Sequence, residues 1–309
     1  MARLPAARPV VDDGALGARR PLVAGLGLSG RAAVRVLAAR GLPARTYDDD
    51  QAADADWHAA ARSTDVAGGP SDLAGGSSDV AGGSSDIAEG LPDERARLAA
   101  ALADEGIDLV VTSPGLRPDH PLLAAARERG IEVISEVELA WRLRVDRATG
   151  GGPAPWLAVT GTNGKTTTVS MLAAILQANG EHAAAAGNVG APLVLAATDP
   201  SLDVLAVELS SFQLHHTFSM SAQAAAVLNV APDHLDWHGS LAAYAADKGR
   251  IYERAQVACV YNAADETTRR LAAAADVVYE LASLRETKRQ RAAKQAVAQP
   301  QAGGQGVQN

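Results

Sequence analysis

Short apolar runs of strand length recur along the chain, and most are followed by a glycine-rich or polar turn and then a helical pattern. The runs lie at 21–24, 44–47, 107–112, 131–134, 156–159, 203–209, 224–230 and 257–261. Continuously apolar strands that alternate with amphipathic helices indicate an α/β protein whose strands are covered on both faces. We therefore predict two sheets, one on each side of a glycine-rich stretch near residue 150.

Glycine-rich and low-complexity stretches divide the chain into two predicted domains. A Thr149-Gly-Gly-Gly-Pro153 linker separates a Rossmann-like domain from a P-loop ATPase-like central domain with a mostly parallel sheet. A repeat that begins at Asp65-Val-Ala-Gly-Gly carries too few apolar atoms to offset the entropy of ordering, which predicts a flexible surface insertion. The predicted boundaries are a lead-in at 1–20, the first domain at 21–148 with its insertion at 63–90, the central domain at 153–280 and a disordered tail at 281–309.

The length, net charge and composition of the chain limit the kinds of partner that it can bind. The 309 residues are enough for two cores, and the net charge of −8 disfavours nucleic acid and anionic membranes as partners. The single cysteine, Cys259, excludes an internal disulfide and suits a reducing compartment. No apolar run approaches the length of a membrane span or of a signal-peptide core. We therefore expect a soluble cytoplasmic protein.

The stretch from Trp156 onward predicts a phosphate-binding loop between a strand and a helix. The turn Thr160-Gly-Thr-Asn-Gly164 follows the strand, and its glycines allow backbone N–H groups to crowd a pyrophosphate at the helix N-terminus. The helical pattern that follows places Val169, Leu172, Ile175 and Leu176 on one predicted buried face. The alternative is a glycine turn without a ligand, since Val159 stands where the G-x4-G-K-[ST] pattern has its first glycine.

The residue types in this loop suit ATP and a metal ion. Lysine at position 165 would contact the β- and γ-phosphates, and the hydroxyl of Thr166 would bind Mg²⁺. The predicted ATP-binding residues are Gly161, Thr162, Asn163, Gly164, Lys165, Thr166 and Thr167.

Lysine is rare in this chain, which makes two positions informative. Through residue 280 the only lysines are Lys165 and Lys248, although arginine is common. Arginine cannot lose its proton or take up CO2 as an amine does. The two lysines are therefore candidates for amine chemistry, and the alternative is chance retention of a surface lysine.

A second glycine turn lies near the amino terminus. Gly25, Gly27 and Gly30 follow a strand and match G-x-G-x-x-G, with Asp48 at the end of the next strand where an acid would bind a ribose. Taken alone, this pattern predicts a dinucleotide such as NAD, but the same turn can hold any nucleotide diphosphate. Ser113-Pro-Gly115 ends another strand, at the edge where doubly wound sheets place their ligands.

Taken together, these motifs resemble the Mur ligase family, the ATP-dependent amide-forming enzymes of peptidoglycan precursor assembly. The resemblance covers residues 21–280, and the string Glu208-Leu-Ser-Ser-Phe-Gln-Leu214 is typical of the branch that adds D-glutamate. The other matching segments are 25–30, 113–115, 160–167, 187–190 and 228–251.

The resemblance implies that the first domain holds UDP rather than NAD. By position, the expected substrate-binding residues are Leu28, Ser29, Asp48, Ser113, Pro114 and Gly115, with Asn188 and Ser210 orienting substrate or the metal shell. Asp49 and Asp50 follow Asp48, at a place where the family residue varies, and they leave a very acidic rim at the expected uridine site.

The resemblance also implies a mechanism. ATP would convert the carboxylate of UDP-N-acetylmuramoyl-L-alanine into an acyl phosphate, which the amine of D-glutamate attacks. The implied catalytic residues are Lys165, Glu208, His234 and Lys248. Two Mg²⁺ ions are expected, with Thr166 and Glu208 as ligands of one, and with His234 and a carbamate on Lys248 at the other. The resemblance further suggests a monomer.

Part of the family pattern has no counterpart here. A third domain, which supplies most D-glutamate contacts in the family, is missing after residue 280, so we expect a truncated chain that binds the UDP-sugar and ligates little. Two alternatives stay open: a noncatalytic nucleotide-binding fragment, and an NAD-dependent oxidoreductase that would leave the P-loop unexplained. His58, His182, His215 and His216 have no partner motif, and no Ser/His/Asp arrangement is predicted.

Overall fold

The computed structural model of the protein describes residues 19–49 and 106–275, and Leu16 and Leu102 in addition. The predicted insertion at 63–90 and the predicted tail at 281–309 lie outside these residues, as does most of the lead-in at 1–20. Within the described ranges, no helix is both long and apolar enough to cross a membrane.

A first sheet of four strands contains the amino-terminal glycine turn. Its elements, in chain order, are β1 (Pro21–Ala24), α1 (Leu28–Ala39), β2 (Arg45–Tyr47), β3 (Leu109–Thr112), α2 (Pro121–Glu128), β4 (Glu132–Ser135) and α3 (Glu136–Arg142). The strands lie in the order β2-β1-β3-β4, and every pairing is parallel. Strands β1 and β3 are buried at every position, as expected for parallel strands covered on both faces.

A second sheet of five strands carries the predicted phosphate loop. Its elements are β5 (Trp156–Thr160), α4 (Lys165–Ala178), β6 (Ala183–Gly187), α5 (Leu193–Ala197), β7 (Val204–Glu208), α6 (Ser211–His215), β8 (Ala224–Val227), α7 (Leu235–His238), α8 (Leu241–Gly249), a 3-10 turn (Arg250–Tyr252), β9 (Ala258–Tyr261) and α9 (Glu266–Ala273). The order is β6-β7-β5-β8-β9, again with parallel pairings. Because β5 lies between β7 and β8, the loop after β5 opens at a topological switch point, where such sheets bind ligands.

The predicted strands are all present, and their ends differ from the prediction by at most three residues. Strand β6 was not predicted, because a run of alanines carries no β-branched or aromatic signal. The predicted face of α4 is wrong in part. Val169 and Ala173 are its buried residues, whereas Ile175 is 65% exposed.

The two sheets meet at a buried interface formed by α3 and the residues before it. Ser135 donates its N–H to the His216 carbonyl at 2.8 Å. The Glu138 carboxylate accepts the N–H groups of Phe218 and Ser219, both at 2.8 Å, and Glu136 accepts the N–H of Val194 at 2.7 Å. A continuous buried apolar cluster also spans both sheets. These contacts fix the carboxyl edge of one sheet relative to that of the other.

Candidate functional site

The phosphate loop after β5 is held by the loop after β8. The N–H of Thr162 donates to the Asn229 carbonyl at 3.0 Å, and the N–H of Asn163 donates to Asn229 Oδ1 at 2.9 Å. Asn229 returns a hydrogen bond from Nδ2 to the Asn163 carbonyl at 3.1 Å. The polar groups on this side of the loop are thus satisfied within the protein.

On its opposite side the loop leads into the N-terminus of α4, which offers backbone N–H donors. Gly164 is the N-cap of α4 in a left-handed conformation (φ +81°), and it provides no side-chain cap. The first intrahelical bond of this turn runs from Thr168 N–H to the Gly164 carbonyl. The N–H groups of Lys165, Thr166 and Thr167 therefore have no helical acceptor, and they fit the oxygens of a phosphate group.

Thr166, Glu208 and Asn188 lie within hydrogen-bond distance of one another's side chains through the Glu208 carboxylate. The Thr166 hydroxyl donates to Glu208 Oε2 at 2.9 Å, and Asn188 Nδ2 donates to Glu208 Oε1 at 2.9 Å. Glu208 ends β7 and is 1% exposed. A hydroxyl and a carboxylate are hard oxygen ligands of the kind Mg²⁺ prefers. No group of three or more His, Cys, Asp or Glu in the described residues could hold a metal ion by itself, so a Mg²⁺ here would take its other ligands from water and phosphate.

Lys248 lies against the same loop from α8. Its side chain is buried, and Nζ donates to the Gly161 carbonyl at 3.0 Å and lies 4.4 Å from the Tyr244 ring centroid. The Tyr244 hydroxyl is in turn 3.1 Å from Thr162 Oγ1. Burial, assisted by the positive charge of Lys165, lowers the pKa of Lys248 to about 7. Near neutral pH a large share of Lys248 is the free amine, the form that can react with CO2.

His234 lies beside these groups in an unusual backbone conformation. It is the N-cap of α7 with φ +49°, and no other non-glycine residue in the described ranges has a positive φ. Its imidazole is half-exposed, with Nε2 3.4 Å from Asp233 Oδ2 and the ring 4.8 Å from that of Phe212. Such a conformation is costly for a residue with a Cβ, which is typical of functional positions.

Ser210 has a local structural role. Its hydroxyl accepts the Gln213 N–H at 3.2 Å, while Gln213 Oε1 accepts the Ser210 N–H at 2.9 Å, which completes a capping box at α6. The cap fixes the start of the helix directly after Glu208. A contact between Ser210 and a substrate stays a prediction.

The glycine turn of the first sheet is shaped by close packing at two of its three glycines. A Cβ at Gly25 (φ +90°) would lie 2.3 Å from Ser113 Oγ, and one at Gly30 would lie 1.8 Å from the Gly25 carbonyl oxygen. A Cβ at Gly27 would meet no protein atom within 4 Å. The space at Gly27 is therefore open to a ligand. Leu28 and Ser29 begin α1 next to it, and Ser113-Pro-Gly115 directly follows β3.

The acidic residues after β2 make hydrogen bonds beside the glycine turn of the first sheet. Asp48 Oδ2 accepts the Leu26 N–H at 2.5 Å, so this carboxylate tethers the glycine turn. Asp49 Oδ1 accepts the Tyr47 hydroxyl at 3.1 Å and lies 3.2 Å from His120 Nε2. Because His120 Nδ1 accepts the Leu122 N–H, its proton lies on Nε2 and points at Asp49. The predicted acidic rim is thus offset at Asp49 by two donors, while Asp50 lies outside the described residues.

A charge near the glycine turn of the first sheet interacts with a charge near His234. The pKa of Arg117, just after the Ser113 loop, is raised chiefly by its hydrogen bond with Asp119, and Asp236 in α7 adds a smaller contribution. Asp236 is two residues from His234.

One Ser/His/Asp arrangement was not predicted from the sequence. His238 Nε2 lies 3.0 Å from Ser211 Oγ, and His238 Nδ1 lies 3.0 Å from Asp247 Oδ2. His215, which had no predicted partner, also bonds Asp247, at 2.9 Å. No sequence spacing signals this set, because it forms only when α6, α7 and α8 pack together.

The chain is similar in sequence to known proteins over much of its length. Residues 159–307 match the family described as Mur ligase middle domain. The UDP-N-acetylmuramoylalanine--D-glutamate ligase of Streptomyces coelicolor is 59% identical over 201 residues, which cover 60% of this chain and 42% of that protein. The enzyme of the same name from Frankia casuarinae is 48% identical over 255 residues, or 82% of this chain and 47% of that protein. This chain thus covers less than half of either relative.

Among solved structures, similarity extends to a ligase from Neisseria meningitides. This is the UDP-N-acetylmuramate:L-alanyl-gamma-D-glutamyl-meso-diaminopimelate ligase, with 16% identity and a TM-score of 0.46 over 85% of this chain and 77% of that chain. That likeness is weak beside the sequence matches, which carry the relationship.

Proposed function

The chain is a relative of the Mur ligases, as its motifs predicted, and from this premise we propose that it is an ATP-dependent ligase that joins D-glutamate to UDP-N-acetylmuramoyl-L-alanine. The reaction forms an amide bond in peptidoglycan precursor synthesis. ATP and the UDP-sugar are cytoplasmic metabolites, so we propose that the protein acts in the cytoplasm. The resemblance to the family further suggests that it is a monomer. The observation that carries this proposal is the convergence of Lys165, the Thr166–Glu208 pair and Lys248 on one phosphate loop.

ATP fits the loop from Gly161 to Thr167. The free N–H groups at the start of α4 would hold phosphate oxygens, and the Lys165 amine, now 3.1 Å from the Thr162 carbonyl, would turn to the γ-phosphate. When bound, ATP supplies the phosphoryl group that activates the substrate carboxylate as an acyl phosphate. The contribution of these residues is positioning and charge neutralisation, the main source of catalysis in phosphoryl transfer.

The metal and the carbamate fit the residues beneath the loop. Thr166 and Glu208 would hold one Mg²⁺, with Asn188 fixing the carboxylate. His234 and a carbamate on Lys248 would hold a second. The low pKa of Lys248 favours carbamate formation, because only a neutral amine adds CO2, and the product replaces a buried cation with a carboxylate ligand.

The UDP-sugar fits the edge of the first sheet. We propose that the pyrophosphate lies over the open face of Gly27 and accepts the N–H groups of Leu28 and Ser29 at the start of α1. Asp48 holds the turn, and the segment from Ser113 to Gly115 forms the opposite wall. The sugar and its peptide would then extend toward His234.

The test is a calorimetric titration of UDP-N-acetylmuramoyl-L-alanine into this chain, with NADH as the control ligand and Mg·ATP as the second titrant. We expect the UDP-sugar and Mg·ATP to bind and NADH not to bind. Binding of NADH in place of the UDP-sugar would favour an oxidoreductase and overturn the proposal.

A second candidate is a nucleotide-binding protein without turnover. It is favoured by one observation, that the chain covers less than half of its curated relatives. D-Glutamate-dependent phosphate release separates the two candidates. Release with both substrates supports the ligase, and binding without release supports the second candidate.

A further inference from the structure

A partly buried polar network lies behind the proposed catalytic groups. Its members are Ser211 and His215 on α6, His238 on α7 and Asp247 on α8, and we call it the Asp247 network. Asp247 bonds both histidines through their Nδ1 atoms, at 2.9 and 3.0 Å, and His238 continues to Ser211 at 3.0 Å. The His238 side chain is 1% exposed and the Asp247 side chain is 12% exposed.

The protons of this network follow from its geometry. Burial acts to raise the pKa of Asp247, but the hydrogen bonds from His215 and His238 outweigh it and hold the pKa below its usual value. An ionised carboxylate only accepts, so both histidines donate from Nδ1. A neutral His238 then has Nε2 free to accept the Ser211 hydroxyl proton. Each hydrogen bond of the Asp247 network therefore has one donor and one acceptor.

The network resembles a hydrolytic triad, but its burial excludes that role. Ser211 is 2% exposed, so its hydroxyl cannot meet a substrate. The members are instead placed to connect helices. Each of these helices carries or adjoins one proposed catalytic group: Glu208 precedes α6, His234 caps α7, and Lys248 lies in α8.

We propose that Asp247 is a positioning residue that sets the rotation of α8 and thereby holds the Lys248 amine on the phosphate loop. Asp247 and Lys248 are neighbours on the helix, so their side chains project about 100° apart. Anchoring Asp247 to α6 and α7 on one side directs Lys248 to the Gly161 carbonyl on the other. The inference rests on the proposed function, because it concerns the carbamate and the nucleotide site described there.

A substitution at Asp247 tests this link. Asp247→Asn keeps the side-chain size but removes the charge, and in either orientation its amide group sets an N–H against the Nδ1–H of His215, which faces both carboxylate oxygens. Because the Lys248 amine would no longer be held at the Gly161 carbonyl, we expect Asp247→Asn to lower carbamate occupancy and Mg·ATP affinity by about tenfold, roughly the value of one lost contact. The UDP-sugar site lies on the other sheet, and its affinity should not change.

The measurement is the carbamate signal in 13C NMR of the chain in 13C-bicarbonate, with calorimetry for Mg·ATP and the UDP-sugar. The matched control is Ser240→Ala. Ser240 caps α8 through the Ala243 N–H at 3.1 Å, so its loss weakens the same helix but leaves the Asp247 network intact. A purely structural role for Asp247 would make the two variants alike.

The outcomes separate this inference from the proposed function. A wild-type chain that binds neither Mg·ATP nor the UDP-sugar contradicts the proposed function itself. With a wild-type chain that binds both and forms the carbamate, a selective loss in Asp247→Asn supports the positioning role. Equal losses in Asp247→Asn and Ser240→Ala, or no loss in Asp247→Asn, overturn it.

Discussion

The Thr166 hydroxyl donates a hydrogen bond to the Glu208 carboxylate at 2.9 Å, which joins the first turn of α4 to the end of β7. Two neighbouring strands of the second sheet thus deliver a hydroxyl and a carboxylate to one point. Asn188, after β6, adds its amide from the third strand. The pair is a small oxygen site at the mouth of the phosphate loop.

Replacing Thr166 with valine tests that site. Thr166→Val keeps the shape and branching of the side chain but removes the oxygen, so we expect Mg²⁺-dependent ATP affinity to fall by about tenfold, roughly the value of one charge-assisted contact. Calorimetry with and without Mg²⁺ measures the change. Thr267→Val, in the first turn of α9, is the control and should bind as wild type does. An unchanged Mg²⁺ dependence in Thr166→Val would remove Thr166 from the metal site.

Two substitutions of Lys248 test whether it acts as a carbamate. Lys248→Arg keeps a positive charge but cannot add CO2, and Lys248→Ala leaves a space in which a small carboxylate could bind. We expect both variants to lose the 13C-carbamate signal and nearly all ligation, with partial recovery of Lys248→Ala by short carboxylates such as acetate. Because the pKa of Lys248 is lowered to about 7, the wild-type signal should rise as the pH increases through 7. Full activity of Lys248→Arg is the result that contradicts a carbamate.

The glycine turn of the first sheet allows folding and binding to be tested separately. Gly30→Ala would place a Cβ 1.8 Å from the Gly25 carbonyl oxygen, so we expect a chain that is destabilised or insoluble. Gly27→Ala meets no protein atom, so we expect a normal thermal unfolding transition and loss of UDP-sugar binding. Thermal unfolding and calorimetry measure the two effects. Normal UDP-sugar binding by Gly27→Ala would show that the pyrophosphate does not lie over this glycine.

Glu136 makes stability depend on pH. Burial raises the pKa of its carboxyl from 4.5 to about 7 against the hydrogen bonds from Val194 and Leu193, and Oε2 has no hydrogen-bond partner in the described part of the chain. The folded protein therefore holds this proton more tightly than the unfolded chain. The stability gained is full below pH 4.5 and is lost as the pH rises through about 7.

The variant Glu136→Gln removes this dependence, because it stays uncharged. Between about pH 5 and about pH 8, we expect the free energy of unfolding of the wild type to fall by on the order of 3 kcal/mol relative to the variant. Urea unfolding at the two pH values measures this difference. Glu253→Gln, at an exposed ion pair with Arg254, is the control. Parallel pH profiles for wild type and Glu136→Gln would mean that Glu136 is not protonated in the fold.

The sequence predicted those features that local pattern determines. Strands such as Leu109–Thr112 are short runs of β-branched and apolar residues, and the turn from Gly161 to Gly164 lies between a strand and a helix, which is the context of a phosphate loop. The rarity of lysine drew attention to Lys248, which is buried with Nζ at the Gly161 carbonyl, and its catalytic role stays a prediction.

Features that depend on packing between distant elements could not be predicted. Ile175 fits a helical apolar stripe, yet no described element covers it, since the stripe alone does not say what will cover it. The Asp247 network joins residues up to 36 positions apart, from Ser211 to Asp247, and no spacing rule connects them. Asp48 lies where the sequence pattern places a ribose-binding acid, but its carboxylate accepts the Leu26 N–H. The sequence pattern does not indicate this contact, because it depends on how the glycine turn folds against the end of β2.

The interface held by Ser135, Glu136 and Glu138 has a consequence for how a long substrate is used. A flexible joint between two binding sheets would lose entropy each time both engaged one ligand. Here hydrogen bonds from Ser135, Glu136 and Glu138 join the two sheets directly. A sugar nucleotide captured on the first sheet would present its far end to the phosphate loop at an effective concentration set by the fold rather than by diffusion.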